Sequence, residues 1–199
     1  MVKSLRIYLY LMKPSRKQVG IIPGGFKPYT KGHHFLVTKA SSENDLVYLL
    51  VGKSDRVRPG QVPIMWSDMQ TIWSFIEGVL PSNVKVAYVS NPVGSAFEIL
   101  QKAEEKGDNV STFKLYGDPE DLGKNFTEAK LSKYVPSLSE NDQIIIMPVE
   151  RTSTGNISGT MMRQYLQDGN RDAFIDGLPA ELRKSGIKIF KILSPKPKK

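Results

Sequence analysis

The sequence predicts an α/β fold: a doubly wound, Rossmann-like parallel sheet of about five strands with helices on both faces. Short apolar runs rich in β-branched residues alternate along the chain with segments of helical spacing. The runs are apolar throughout, which is typical of parallel strands that are buried on both faces. Glycine or polar residues follow most of these runs, and ligands of such sheets bind beyond the carboxyl ends of the strands. We therefore expect a binding site at that edge of the sheet.

The apolar runs predict five strands, and the segments between them predict four helices. Pro81 and Gly107 mark the ends of the second and third helices, because proline cannot continue a helix and glycine favours a helix end. Residues 188–193 fit either a last strand or a last helix. The predicted strands are Val19–Ile22, Leu46–Val51, Val84–Val89, Thr112–Tyr116 and Gln143–Val149, and the predicted helices are His34–Ala40, Trp66–Leu80, Ala96–Lys106 and one that follows Ser158.

The length of 199 residues predicts a single domain over residues 17–193. Residues 1–16 alternate apolar and polar positions and are predicted to be an N-terminal extension with an extra strand. Residues 194–199 are lysine-rich and are predicted to be a disordered basic tail. No apolar run approaches the roughly 20 residues that cross a bilayer, and cysteine is absent. These features predict a cytoplasmic protein without membrane association.

The formal charge of +8 has two interpretations. The excess of lysine and arginine forms either a solvated basic surface or a surface that attracts polyanions. The lysines are spread along the chain without interleaved aromatic residues, and no nucleic-acid-binding module is recognisable. We therefore favour the first interpretation and do not expect nucleic acid as a partner.

The segment Gly24–His33, with the sequence GGFKPYTKGH, is the first candidate site. It joins the end of the first strand to the start of the first helix, where unpaired N–H groups and the helix dipole favour a phosphate. Gly24 and Gly25 allow the backbone to approach a ligand without a Cβ in the way. The glycines follow neither the G-x-x-x-x-G-K-[ST] nor the G-x-G-x-x-G pattern.

The spacing G-x-F-x-P-x-T-x-G-H of this segment resembles the first signature of the nucleotidylyltransferase superfamily, whose members carry [HT]-x-G-H here. A second segment, Ile157–Arg163 with the sequence ISGTMMR, resembles the superfamily motif I-S-x-T-x-x-R. It also follows an apolar strand, and Ser158 is a suitable N-cap for a second helix beside the first site. Two motifs in the family's order, both at strand-to-helix junctions, support the resemblance.

The resemblance implies transfer of a nucleoside monophosphate from a nucleoside triphosphate to a small phosphate-bearing acceptor, with release of pyrophosphate. ATP is the expected donor, because T-x-G-H and I-S-G-T-x-x-R resemble the adenylyl-transferring branches. CTP stays open, because residues 151–160 partly resemble the R-T-x-G-I-S-T-T run of cytidylyltransferases. Mg²⁺ is expected to accompany the nucleotide, since no cluster of metal-ligating side chains is recognisable and the ion bridges phosphates. Related enzymes are often homo-oligomers.

The resemblance also assigns roles within the first motif. His33 is expected to bond phosphate oxygens in the transition state, the alternative being a histidine that only caps or packs. Thr30 stands where other members have histidine, and its hydroxyl can bond a phosphate. Lys27 replaces a common aspartate; it is either a charge for the substrate or a solvated loop lysine. His34 is expected to be structural. Gly24, Gly25, Phe26 and Gly32 are expected to line the nucleotide site.

Within the second motif, Ser158, Gly159 and Thr160 are expected to receive the β- and γ-phosphates through their N–H and hydroxyl groups. Arg163, one turn further, is expected to act with them; the alternative is an exposed helix arginine. Lys53 and Arg56 follow the second strand, where the acceptor phosphate could be held. Asp118 at the fourth strand end is a candidate contact for ribose, substrate or metal. Residues 120–140 either cover the site or form a surface insertion.

A second class of function remains open, namely a nucleotide- or nucleic-acid-binding protein that keeps the fold without turnover. The presence of both His33 and Arg163 argues against it, whereas the positive charge is compatible with it. Release of pyrophosphate discriminates the two classes. The sequence identifies neither the acceptor nor the oligomeric state, because acceptor pockets are built from loops that no motif fixes.

Overall fold

The computed structural model describes residues 17–150 and 156–195. Its centre is a sheet of five parallel strands in the order β3-β2-β1-β4-β5. The predicted doubly wound α/β fold with about five strands is therefore confirmed. The strands are β1 (Lys17–Gly24), β2 (Leu46–Gly52), β3 (Val84–Val89), β4 (Ser111–Gly117) and β5 (Ile144–Pro148).

Helices connect the strands and cover both faces of the sheet. The long connections are α1 (Lys31–Ser42), α2 (Trp66–Glu77) and α3 (Pro92–Glu105). Three short helices, α4 (Pro119–Asn125), α5 (Glu128–Tyr134) and α6 (Pro136–Glu140), lie between β4 and β5. The chain continues through α7 (Gly159–Gln167), α8 (Arg171–Asp176), a 3₁₀ helix (Ala180–Ser185) and α9 (Gly186–Leu193).

Alternation along the central strands divides the core into two apolar clusters, one on each face. In β1, Ile22 belongs to one cluster, whereas Ile21 belongs to the other. In β2, Leu49 and Leu50 divide in the same way, because successive side chains of a strand point to opposite faces. Helices α1, α2, α7, α8 and α9 contribute buried residues to the first cluster, and α3 to α6 contribute to the second.

The strand order creates a switch point between β1 and β4. From β1 the chain proceeds outward to β2 and β3, and it then returns to the opposite side of β1 as β4. The connections from β1 and β4 therefore diverge to opposite faces and leave a crevice at the carboxyl ends of these strands. Both predicted motifs lead into helices at this edge, the first directly after β1 and the second after β5.

Several predicted bounds were wrong by a few residues. The second helix ends at Glu77 instead of Leu80, and the third begins at Pro92, where Asn91 caps it by accepting a hydrogen bond from the Gly94 N–H at 3.0 Å. Residues 188–193 belong to helix α9. β5 is an edge strand, and its Ile145 and Ile146 are 39% and 37% exposed, so the expected burial of every strand on both faces does not hold there.

Residues 120–140 form the helical crossover from β4 to β5. Their sequence contains many polar residues, but Leu122, Leu131 and Leu138 are buried in the second cluster. Three short helices cover this face of the sheet beside α3, so the segment is part of the fold and not a surface insertion. The predicted extra strand in residues 1–16 and most of the predicted tail lie outside the described residues, as does the segment 151–155. Among the described residues, no helix is long and apolar enough to cross a membrane.

His34 is directed away from the crevice, as predicted for a structural residue. Its Nδ1 lies 3.3 Å from the hydroxyl of Tyr29, and its Nε2 lies 3.7 Å from the carboxylate of Glu181 in the 3₁₀ helix. Burial lowers the pKa of His34 below its ordinary value, and the charge of Glu181 opposes this shift.

We predict that His34 makes the folded protein less stable in acid. Because the folded state binds the His34 proton less readily than the unfolded state, the free energy of unfolding decreases as the pH falls through the ordinary histidine value of 6.5. Urea unfolding at a series of pH values between about 5 and 8 measures this dependence. In His34→Gln the part of the pH dependence that His34 causes is expected to be absent. An identical profile in the variant would contradict the prediction.

Candidate active site

The loop after β1 is organised by the first turn of α1. Thr30 is the N-cap: its Oγ1 accepts the backbone N–H of His33 at 3.2 Å. The His33 ring folds back, so that its Nδ1 accepts the backbone N–H of Thr30 at 3.1 Å. This reciprocal capping fixes both the start of the helix and the orientation of the imidazole. The Thr30 hydroxyl, predicted to bond a phosphate, is thus engaged in capping.

Phe26 turns the loop back over the core. Its backbone has φ of 51°, in the left-handed region that few side chains adopt. Its buried ring packs edge-on against His33, with 5.0 Å between ring centroids, and against Trp73 at 6.2 Å. A Cβ at position 24 would lie 2.8 Å from this ring, whereas a Cβ at Gly25 would meet no atom within 4 Å. Gly24 is therefore required by Phe26, and Gly25 borders open space.

Lys27 is buried, with 8% exposure, so the alternative of a solvated loop lysine was wrong. Its Nζ donates a hydrogen bond to the carbonyl of Gly52 at the end of β2 and lies 5.7 Å from the centre of the Trp66 ring. Burial lowers the pKa of Lys27, an effect that the charge of Asp55 opposes. The ammonium is thus held at the carboxyl edge of the sheet.

The second motif forms the first turn of α7. Ser158 is its N-cap, as predicted, and its Oγ accepts the Met161 N–H at 3.1 Å. Arg163 is only 3% exposed, so it is not the surface arginine of the alternative. Its Nη1 donates to the backbone carbonyl of Lys27 at 2.8 Å and its Nη2 to the Thr160 hydroxyl at 2.9 Å. Arg163 therefore joins the two motifs directly.

A third segment, Asp55–Ile64, completes this arrangement. Arg56 and Ile64 exchange two backbone hydrogen bonds, of 2.8 and 3.0 Å, which close a hairpin-like loop after β2. Pro59 and Gly60, the latter with φ of 71°, occupy its tip as in a type II turn. The side chain of Gln61 accepts a hydrogen bond from Arg163 Nε at 2.8 Å. The loop is thereby tied to α7.

The three segments enclose a cavity of about 290 Å³, called here the polar cavity. The first motif contributes Gly25, Phe26, Lys27 and His33; the second contributes Ser158, Gly159, Thr160 and Arg163; and the loop after β2 contributes Ser54, Asp55 and Arg56. Two helix N-termini, those of α1 and α7, therefore border one space. Such ends attract anions through unpaired N–H groups and the helix dipole.

Side-chain charge gives the polar cavity a positive field. Burial lowers the pKa of Arg163, and the charges of Arg56 and Arg58 lower it further. The pKa of Arg56 is lowered in the same way by burial and by Arg58. Asp55 is the carboxylate in the lining, and one of its oxygens accepts the Trp66 N–H at 2.6 Å. Mutual repulsion among these cations favours an anionic guest.

A second cavity of about 340 Å³, called the apolar cavity, adjoins the first. Gly25, Phe26 and His33 line both. Its walls come from the first motif, the start of α3, the end of β4, the crossover helix α4 and the first residue of the second motif, and its apolar lining includes Pro92, Val93, Leu122, Phe126 and Ile157. The acidic residues in its lining are Asp118, Asp121 and Glu150. A flat organic group with a few polar atoms suits this lining.

All but one of the predicted site residues line these two cavities. Lys53 is exposed and lines neither of them, although its neighbours Gly52 and Ser54 do. The sequence did not indicate Gln61 or Asp55, and it indicated Asp121 and Asn125 only as members of the segment 120–140 that could cover the site. Apart from the turn signal of Pro59 and Gly60, their positions carry no local pattern, because their proximity to the motifs depends on the tertiary fold.

Among the described residues, no group of three or more His, Cys, Asp or Glu side chains is placed to hold a metal ion. The carboxylates that border the site are divided between the two cavities. A divalent ion bound here would take most of its oxygen ligands from phosphates and water, as Mg²⁺ commonly does.

Comparison with known proteins adds to this geometry. Residues 22–61 match the family model of the citrate lyase ligase C-terminal domain. A Vibrio parahaemolyticus protein, provisionally assigned as a nicotinate-nucleotide adenylyltransferase, is 18% identical, with 86% of this chain and 99% of that chain covered and a TM-score of 0.52. Nicotinic acid mononucleotide adenylyltransferase of Plasmodium falciparum, complexed with APC, is 14% identical, with 88% of this chain and 96% of that chain covered and a TM-score of 0.55. No curated protein matched.

We predict that Arg163→Lys lowers the free energy of unfolding by about 2 kcal/mol. A lysine cannot reproduce the planar set of donors, so the Lys27 carbonyl and the Gln61 side chain lose their partner. Urea denaturation measures the change. Arg171→Lys is the matched control, because the Arg171 side chain is 55% exposed, and its effect is expected within about 0.5 kcal/mol. Equal effects of the two substitutions would contradict the structural role of Arg163.

Proposed function

Starting from the nucleotidylyltransferase fold, which this chain has, we propose that it is an enzyme that transfers AMP from ATP to a small phosphate-bearing acceptor. In this reaction an oxygen of the acceptor phosphate forms a bond to the α-phosphorus of ATP. The bond from that phosphorus to the bridging oxygen breaks, and pyrophosphate leaves with the electron pair. The attacking oxygen is already anionic, so no side-chain nucleophile is needed.

The observation that carries the proposal is the meeting of two helix N-termini at one polar cavity. The first turns of α1 and α7 both border it, together with His33 and Lys27. Two positive helix ends are suited to a polyphosphate, whose charge exceeds what one end stabilises. Arg163 holds the two ends together through the Lys27 carbonyl. Preorganised donors of this kind stabilise charge that develops on phosphoryl oxygens.

Roles for the individual side chains follow from this placement. The N–H and hydroxyl groups of Ser158, Gly159 and Thr160 would bind the β- and γ-phosphates at the start of α7. His33, which lines both cavities, would donate to the α-phosphate at the junction between nucleoside and triphosphate. Lys27 would neutralise charge on the same oxygens. Burial lowers the pKa of Lys27, and its ammonium donates a hydrogen bond to the Gly52 carbonyl.

The apolar cavity would receive the nucleoside. Its wall of proline, leucine and phenylalanine side chains suits a base, and Asp118 would accept hydrogen bonds from ribose hydroxyls. Contacts that distinguish adenine from cytosine are not evident in the lining, so CTP is the alternative donor to be tested beside ATP. Adenylyltransferases among the structural neighbours favour ATP.

The acceptor phosphate would be held by Arg56 on the loop after β2. Arg56 lines the polar cavity, and its Nε is buried without a hydrogen-bond partner among the described residues. Arg58, two residues further along the same loop, adds a second positive charge. Lys53 lines neither cavity, so we assign it at most a long-range electrostatic contribution.

The experiment is to measure pyrophosphate release with Mg²⁺, ATP or CTP, and a panel of phosphorylated acceptors. The panel contains nicotinamide mononucleotide and its carboxylate form, phosphopantetheine, flavin mononucleotide, sugar phosphates, glycerol 3-phosphate and phosphocholine. Release with one pair is expected to require Mg²⁺, which is tested by adding a chelator. His33→Ala is expected to reduce kcat by about 10²- to 10³-fold, because a donor to the transition state is lost.

His34→Ala is the matched control for this experiment. It removes the neighbouring imidazole, which contacts Tyr29 and Glu181 outside both cavities, so kcat is expected to stay within a few-fold of the wild type. Equal losses in both variants would contradict the assignment of His33. No release with any pair, while ATP binds in a calorimeter, would favour a nucleotide-binding protein without turnover.

We further predict different effects of alanine at the two adjacent glycines. Gly25→Ala places a methyl group in open space that both cavities share, so the melting temperature is expected to be unchanged while the Kd for ATP rises about tenfold or more. Gly24→Ala would collide with the Phe26 ring, so it is expected to lower the melting temperature by several degrees. Scanning calorimetry and ATP titration measure both effects. A stable Gly24→Ala variant would contradict this account of the loop.

A further inference from the structure

The contacts around His33 determine the orientation of its imidazole ring. The residue is the N3 residue of α1, and its ring returns to the N-cap residue Thr30. Two groups of Thr30 lie within hydrogen-bond distance of His33 Nδ1: the backbone N–H at 3.1 Å and the side-chain hydroxyl at 3.2 Å. Phe26 and Tyr29 pack against the ring, with centroids 5.0 and 5.8 Å away. The ring therefore has a single orientation relative to the helix.

The backbone donor at Thr30 defines which ring nitrogen carries the proton. A backbone N–H can only donate, so His33 Nδ1 must present its lone pair to it. In a neutral imidazole the other nitrogen then carries the hydrogen. The hydroxyl of Thr30 accepts the His33 N–H and is free to direct its own hydrogen toward Nδ1. Both Thr30 contacts are thus compatible with a proton on Nε2.

A second proton on this ring would be unfavourable for two reasons. It would sit on Nδ1 and face the Thr30 N–H at hydrogen-bond distance, which places two donors against each other. The polar cavity that His33 lines also contains several cations. Among residues 17–150 and 156–195, the charged groups that line the two cavities beside His33 are Lys27, Arg56, Arg163 and Asp55 in the polar cavity and Asp118, Asp121 and Glu150 in the apolar one. The buried phenol of Tyr29 packs against the His33 ring and is uncharged, because burial raises its pKa.

We infer that His33 is held as the neutral Nε2–H tautomer by Thr30, which acts as a positioning residue through its backbone N–H and its hydroxyl. Its role in catalysis rests on the proposed function. In that reaction the Nε2–H donates a hydrogen bond to a phosphoryl oxygen during transfer, and the proton stays on His33. This suits a reaction in which the nucleophile is already an anion and pyrophosphate leaves without protonation by the enzyme.

Nuclear magnetic resonance tests the tautomer without any substrate. The chain has two histidines, so ¹⁵N-histidine labelling gives two ring spin systems, and the system missing in His34→Gln belongs to His34. For His33 near neutral pH we expect a protonated Nε2 and an unprotonated Nδ1. A protonated Nδ1, in either the other neutral tautomer or the imidazolium, would overturn the inference. Circular dichroism verifies that each sample is folded.

Variants of Thr30 test its part in holding this tautomer. Thr30→Ser keeps both groups and is expected to reproduce the wild-type nitrogen shifts of His33. Thr30→Val keeps only the backbone donor and is still expected to show the Nε2–H form, with a broader signal because the helix cap is lost. Conversion to the Nδ1–H form in Thr30→Val would mean that the backbone N–H does not set the tautomer.

Two amides at position 33 test the catalytic role separately. In His33→Gln the amide NH₂ can occupy the position of Nε2, whereas in His33→Asn the shorter side chain reaches only the position of Nδ1. Pyrophosphate release by the glutamine variant is therefore expected to exceed that of the asparagine variant by about tenfold. The reverse order would overturn the assignment of Nε2 as donor. Absence of release in the wild type, with the tautomer as expected, would refute the proposed function and leave the tautomer intact.

Discussion

The candidate site depends on the hydrogen bond from the Arg163 guanidinium to the backbone carbonyl of Lys27. The two residues lie 136 positions apart in the sequence; Lys27 belongs to the loop after β1, and Arg163 belongs to helix α7, which follows β5. Without a connection between them, the N-termini of α1 and α7 would be independent anion sites of modest strength. The bond fixes their separation, and the additional contact of Arg163 with Gln61 attaches the loop after β2 to the same framework. One buried cation therefore organises three segments around a cavity.

This arrangement is supported by the sheet below it. β1 lies at the centre of the strand order, with β2 on one side and β4 on the other, so the loop that follows it is supported by the ends of both neighbours. The Lys27 ammonium bonds the last carbonyl of β2, and Phe26 packs onto Trp73 of α2. A rigid loop is useful here because the proposed chemistry consists of positioning and charge stabilisation, with no covalent step on the enzyme.

The fold and the two motifs could be predicted because their signals are local. Apolar runs identified the five strands, and the hydroxyl before the second motif helix identified Ser158 as an N-cap, whereas the capping role of Thr30 was not predicted. Other features could not be predicted, since they depend on contacts distant in sequence. The crossover helices between β4 and β5 contain many polar residues, so the sequence did not indicate that their leucines are buried in the core. The partners of Arg163 and the burial of Lys27 are tertiary properties, so the sequence left open whether these side chains were solvated. Lys53 was expected near the acceptor because of its place in the chain, but its exposed side chain lies outside both cavities.

Gly159 has a consequence for how this site can change during evolution. A Cβ at position 159 would lie 3.1 Å from Arg163 Nη1 and 3.4 Å from the Lys27 carbonyl oxygen, so it would enter the same narrow space that the guanidinium bridges. A side chain at position 159 therefore requires the Arg163 guanidinium to move by a few tenths of an ångström, which strains its hydrogen bond to the Lys27 carbonyl. The two positions are therefore expected to show epistasis. Sequences with a side chain at 159 that keep arginine at 163 are expected to hold the two motifs together with a longer and weaker bridge.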